Sequence, residues 1–142
     1  MTDSLAFPFA IALTVSLMGV DTAVKVMPKA DLAEFFEVQS VTAKRVGDGA
    51  VLDVQRVIHR PVHMAFTVRI MAQEPSGWTE VCQAPSNVIL YEPGRALPDP
   101  ITLDWWTWGK CPTLPSGPAE IVTTWDPEPF GLASITVKTE VP

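Results

Sequence analysis

The 142-residue chain carries 16 acidic against 10 basic side chains, a formal net charge of −6, which excludes the phosphate-neutralising surface of a nucleic-acid binder. Its 47% hydrophobic content excludes a disordered chain. Fourteen prolines and eight glycines, scattered along the length, point to many short strands joined by tight turns, in one domain plus an appendage.

The appendage comes first. Leu5 to Val20 reads LAFPFAIALTVSLMGV without a charge. As a helix this stretch spans about 24 Å, somewhat less than the roughly 30 Å of a hydrocarbon core. It reads as an uncleaved anchor or a segment packed within an assembly, ahead of a cleaved signal or a buried part of a soluble core. The signal-like features are incomplete, because Met1-Thr2-Asp3-Ser4 lacks a basic residue and no A-x-A site follows. Lys25 and Lys29 lie on its C-terminal side and favour a cytoplasmic C-terminus, which opposes an exported, disulfide-bonded domain. Residues 1–20 are thus expected to form an apolar anchor or signal-like segment, helical or extended, and residues 21–34 a connector. Pro28 ends any helix there, and Asp31 to Glu34 has the spacing of a capping box for a short helix.

From residue 35 the hydrophobic period becomes two. Phe36 and Val38 lead towards Gly47-Asp48-Gly49, a hairpin turn. A strand from Ala50 to Arg60 leaves it, with Leu52, Val54 and Ile58 on one face and Asp53, Gln55 and His59 on the other. Met64, Phe66, Val68 and Ile70 alternate along the next strand. Pro75-Ser76-Gly77 turns the chain, and Trp78 to Gln83 returns, carrying Cys82. Ala84 to Pro100 reads as a proline-rich connector in which Val88 to Tyr91 forms a short edge piece.

Ile101 to Cys111 reads ITLDWWTWGKC. At a strand period Ile101, Leu103 and Trp105 face the core, while Thr102, Asp104, Trp106 and Trp108 face outwards, with the two outer indoles roughly 7 Å apart. A proline-rich loop over 111–118 follows. Ala119, Ile121, Thr123 and Trp125 then alternate along a strand, Asp126 to Pro129 makes a corner, and Leu132 to Val141 closes the chain.

About seven strands with frequent turn signals predict an all-β, two-sheet antiparallel sandwich over residues 35–142. Leu114-Pro-Ser-Gly117 running into the strand Glu120–Trp125 is similar to the corner between strands E and F of immunoglobulin-like and fibronectin-type-III-like sandwiches, which the chain resembles over 35–142. It departs from them where Pro118 or Ala119 replaces the corner tyrosine, and where Trp105 and Trp106 sit just before the second cysteine. The resemblance implies architecture and carries no function.

Cys82 and Cys111 suit one disulfide, whose loop of about 30 residues is worth roughly 3–4 kcal/mol on a chain-entropy basis; two buried thiols in a reducing compartment are the alternative. His59 and His63 have helix-type metal spacing, but Arg60-Pro61 between them breaks a helix, so no metal and no cofactor is expected. Neither G-x-S-x-G nor a papain-like cysteine context occurs. Asp104 with Glu80 or Glu92 could supply a carboxylate pair for hydrolysis, and solvated acids explain them equally well.

The binding candidates are Trp106, Trp108, Tyr91 and Trp78, since large exposed aromatics mark contact surfaces. Packing of the indoles under the proline loops competes with that reading. The expectation is a non-enzymatic interaction module, an accessory of a viral particle or bacterial membrane complex at the virion or cell envelope. It would be attached through Leu5–Val20, with a possible membrane contact there, and would touch other protein subunits through the tryptophan face. A secreted or periplasmic module for a glycan or small ligand, and a carboxylate-dependent hydrolase, are the alternatives.

Overall fold

The structure, a computed structural model, describes residues 32–128 and 132–142. Leu5–Val20, most of the connector and the Pro129 end of the predicted corner lie outside the described residues. Among the described residues no helix is long and apolar enough to cross a membrane.

After a 3-10 turn at Leu32–Glu34 come strands β1 (Phe36–Val46), β2 (Gly49–Ile58), β3 (Val62–Glu74), β4 (Gly77–Tyr91) and the two-residue β5 (Ile101–Thr102). One helical turn, α1 (Leu103–Trp106), precedes β6 (Ala119–Pro127) and β7 (Ile135–Val141). All pairings are antiparallel, and they build a three-stranded sheet in the order β1-β2-β5 and a four-stranded sheet in the order β4-β3-β6-β7. The expected two-sheet sandwich of seven strands is therefore the fold.

The alternation read from the sequence sets the faces. Ala50, Leu52 and Val54 of β2 and Met64, Phe66, Val68 and Ile70 of β3 are buried, as are Ile121, Thr123 and Trp125 of β6. Trp125 packs at their centre, its ring 5.6 Å from Phe36 and 5.5 Å from Phe66. The β1–β2 hairpin turns on Gly47 and Asp48, with Gly47 at φ +61°. A side chain at that first central position would be strained, which is why glycine is found there.

Pro85 lies inside β4, so the strand runs further than the predicted piece at Val88–Tyr91. Because β4 is the edge of its sheet, a residue without an N–H is tolerated there. Ser86 and Asn87 bulge opposite Phe66, and the Ser86 hydroxyl accepts from the Phe66 N–H at 2.9 Å, which replaces the lost ladder bond.

The loop over 111–118 is pinned on the hairpin. Arg45 donates to the Pro115 and Gly117 carbonyls at 3.1 and 2.6 Å, and the Leu114 N–H donates to Asp48 O at 2.7 Å. Cys82 and Cys111 form a disulfide with a Cα–Cα distance of 6.0 Å, joining the edge strand β4 to the start of this loop.

Trp105 and Trp106 do not lie on a strand. After Thr102 the chain turns helical, and the Thr102 hydroxyl accepts from the Trp105 N–H at 3.1 Å as an N-cap. The helical turn exchanges the expected faces. Leu103 and Trp106, three apart, point into the core, while Trp105, expected inside, is 49% exposed.

Candidate functional site

One flank of the sandwich is closed by β1 against β7, where the Thr139 hydroxyl donates to Val41 O at 3.3 Å. The other flank is open. β5 pairs with β2 only at Val51 and Leu52, so among the described residues no strand lies on that side of β2 from Asp53 to Ile58. The space between this edge and β4 is covered by α1 and by the connector after Tyr91, and a cleft of about 320 Å³ remains. That volume falls at the small end of ligand sites.

Aromatic rings make half of the cleft lining. Buried Phe66, Trp106 and Tyr91 form its floor, and half-exposed Trp105 and Trp108 form its rim. Phe66 stands edge-on to both Trp106 (5.0 Å) and Trp108 (5.4 Å), and the Trp106 indole N–H donates to the Thr123 hydroxyl at 3.2 Å. The floor is thus continuous with the core, and its rings are fixed by packing.

Trp108 has an unusual backbone. The Gly109 N–H donates to Asp104 O at 2.7 Å and the Trp108 N–H donates to Trp105 O at 3.2 Å, the paired bonds of a Schellman motif. Its left-handed position is ordinarily glycine, yet Trp108 occupies it at φ +51°, the one described residue other than glycine with positive φ. Such a conformation costs about 1–2 kcal/mol. The Thr107 hydroxyl, fully buried, donates to Leu103 O at 2.8 Å and accepts from the Cys111 N–H at 3.1 Å. These bonds and the adjoining disulfide hold the strained residue in place.

The other end of the cleft is cationic. Arg56 and Arg95 lie 5.7 and 5.6 Å from the centre of the Tyr91 ring. Arg56 donates to Arg95 O at 3.4 Å and Arg95 donates to Leu90 O at 2.8 Å. Among the described residues neither guanidinium has a carboxylate within ion-pair distance. Burial, with Arg95 adding to it, lowers the Arg56 pKa, and the charge of Tyr91 when ionised opposes that fall. Burial pushes the Tyr91 phenol up to about 12, despite the two guanidiniums and the nearby Trp125 indole N–H. That N–H has no partner in hydrogen-bonding geometry in the buried core.

Of the predicted binding residues, Tyr91, Trp106 and Trp108 come together in the cleft and Trp78 does not. Trp78 pairs with Gln73 near the β3–β4 turn and is 37% exposed. Trp106 enters as buried floor, and Trp105 takes the exposed position expected of it. The predicted acids are dispersed. Asp104 lines a separate groove beside Pro112, Glu80 faces Arg69 at 3.8 Å, and Glu92 lies by Pro93 and Gly94. His59 pairs with Glu37 at 3.1 Å, and among the described residues no three His, Cys, Asp or Glu side chains are placed to hold a metal.

Four residues that shape the cleft are not among the binding candidates of the sequence: Phe66 and Trp105, which strand alternation assigns to the core, and the two arginines. Arg56 shares the inward parity of Leu52, Val54 and Ile58, and a charge at a core-face position was a readable signal. Arg95 follows Pro93-Gly94 in a turn and gives none. Comparison with protein-family models, with curated proteins and with solved structures finds no match.

Proposed function

We propose that this chain is a non-enzymatic interaction module of immunoglobulin-like or fibronectin-type-III-like architecture. It grips a neighbouring protein subunit in the aromatic cleft, while the uncharged Leu5–Val20 segment tethers it to a membrane or to the body of an assembly. The strand order supports the architecture. With β1, β2 and β5 as strands A, B and E and β3, β6 and β7 as C, F and G, β4 pairs beside β3 as a C′ strand does. The disulfide from β4 to the loop before β6 is a departure from the B–F bridge of antibody domains.

The observation that carries the functional reading is Trp108. A half-exposed indole is held in a strained backbone conformation beside a second half-exposed indole. Packing against Phe66 offsets part of the strain, but half of the indole stays exposed, and strain of this kind clusters at binding sites. The test is subunit exchange in the native assembly, followed with isotope-labelled protein. Trp105→Ala combined with Trp108→Gly should leave the domain folded and shorten its residence at least ~10-fold. Unchanged residence of that variant would reject the reading.

The two rim indoles equally suit stacking on a sugar ring, which makes a secreted or periplasmic glycan-binding module the second reading. It requires saturable quenching of tryptophan fluorescence by neutral oligosaccharides.

A further inference from the structure

We infer that the occupant of the cleft is an extended, acidic segment of a partner polypeptide, with one carboxylate received between Arg56 and Arg95 and a neighbouring apolar side chain lying between Trp105 and Trp108. The inference rests on the interaction-module reading and gives its partner a chemistry.

Three observations carry it. First, two guanidiniums share the Tyr91 ring, and among the described residues neither has a carboxylate within ion-pair distance, although Glu92 lines the groove beside Arg95. Like charges brought together at a partly desolvated site repel, and an anion between them relieves the repulsion. Arginine suits a planar carboxylate because its fork can donate two parallel hydrogen bonds. Second, the rest of the cleft is apolar and aromatic, so the ligand must carry a hydrophobic group within a few ångströms of its charge. An acidic residue two positions from an aromatic or branched one, on the same face of an extended chain, meets both demands. Third, the cleft adjoins the side of β2 that, from Asp53 to Ile58, has no strand partner among the described residues. Arg56 projects from that stretch, and an open strand edge recruits an extended backbone by ladder hydrogen bonds. A sugar chain has no use for such an edge. The protein's own net charge of −6 disfavours acidic ligands elsewhere on its surface, which makes the arginine pair a local selector.

The experiment selects binders from a random dodecapeptide phage library, with the full chain and its Arg56→Gln/Arg95→Gln variant as parallel baits. Thermal unfolding of the variant confirms that it is folded, and Arg95→Gln alone serves as bait if the double change is not tolerated. The wild-type bait should enrich peptides with Asp or Glu two positions from an aromatic or branched residue. Synthetic versions of these should bind at least ~10-fold more weakly to the variant, and to wild type when their acid is amidated. Enrichment of uncharged peptides, or of the same peptides by both baits, would overturn the carboxylate assignment and leave the interaction-module reading standing. Failure to enrich any peptide overturns the inference. So does binding of an oligogalacturonate, in affinity electrophoresis, that depends on both arginines and is not displaced by the peptides. Subunit exchange judges the parent reading separately.

Discussion

At position 108 the usual order of alanine and glycine should reverse. Trp108→Ala and Trp108→Gly remove the same indole and the same contact with Phe66, so those losses cancel between the two variants. What remains is the backbone. Alanine at the left-handed φ of +51° retains a strain of about 1–2 kcal/mol, whereas glycine releases it and sacrifices roughly 0.5–1 kcal/mol to the greater freedom of its unfolded chain. Glycine should therefore be the more stable variant by about 0.5–1 kcal/mol. Trp105 provides the control, because it lies within α1 in helical geometry. There Trp105→Ala should exceed Trp105→Gly by about 0.5–1 kcal/mol. The assay is urea unfolding of all four variants with the disulfide intact, compared through midpoints at a common m-value. The diagnostic is the change of sign between two positions three residues apart. Alanine equal to or better than glycine at 108 refutes the claim that Trp108 is strained, and with it the main support for a functional indole there.

Trp106→Ala should behave differently, costing about 3–5 kcal/mol because it removes a buried ring and leaves the Thr123 hydroxyl without its donor; chemical denaturation measures it. Gly49→Ala would put a methyl 3.0 Å from the Pro112 carbonyl oxygen, and should destabilise the domain by about 1–3 kcal/mol by lifting the 111–118 loop from the hairpin. Reduction of Cys82–Cys111, whose partners lie 29 residues apart, should cost about 3–4 kcal/mol, read from unfolding with and without reductant. Tyr91 is the single tyrosine of the chain, so phenolate absorbance reports it alone. Its pKa is raised to about 12 from 10.0; the folded state holds that proton more tightly than the unfolded one. Its contribution is complete below pH about 10 and is lost as pH rises through about 12, a fall on the order of 2–3 kcal/mol. Tyr91→Phe should flatten the stability profile across that window.

The fold was legible because its strands obey one rule. Leu52, Val54, Met64, Phe66, Val68, Ile70, Ile121 and Trp125 all lie inside where alternation places them, since each strand of a sandwich has one face to bury. The rule fails where that condition lapses. Ile101 to Trp108 satisfies two periods at once: a period of two groups Trp106 with Trp108, and the helical period groups Leu103 with Trp106. Apolar spacing cannot decide between them, because tryptophan is apolar in every register. The discriminating signal lay in the small polar residues, Thr102 as N-cap with Asp104 in the first turn, which favour a helix start through hydrogen bonding and charge. A strand would have extended β5 along β2 and sealed the flank. By turning helical after two residues, the chain leaves the β2 edge open beside Arg56 and roofs the gap with indoles, so the cleft exists because the strand stops. Of that cleft, the aromatic half was visible as composition and Arg56 as a charge at inward parity. Its meeting with Arg95 over Tyr91 depends on the path of the connector, 39 residues away along the chain from Arg56, and no local pattern encodes a contact at that separation.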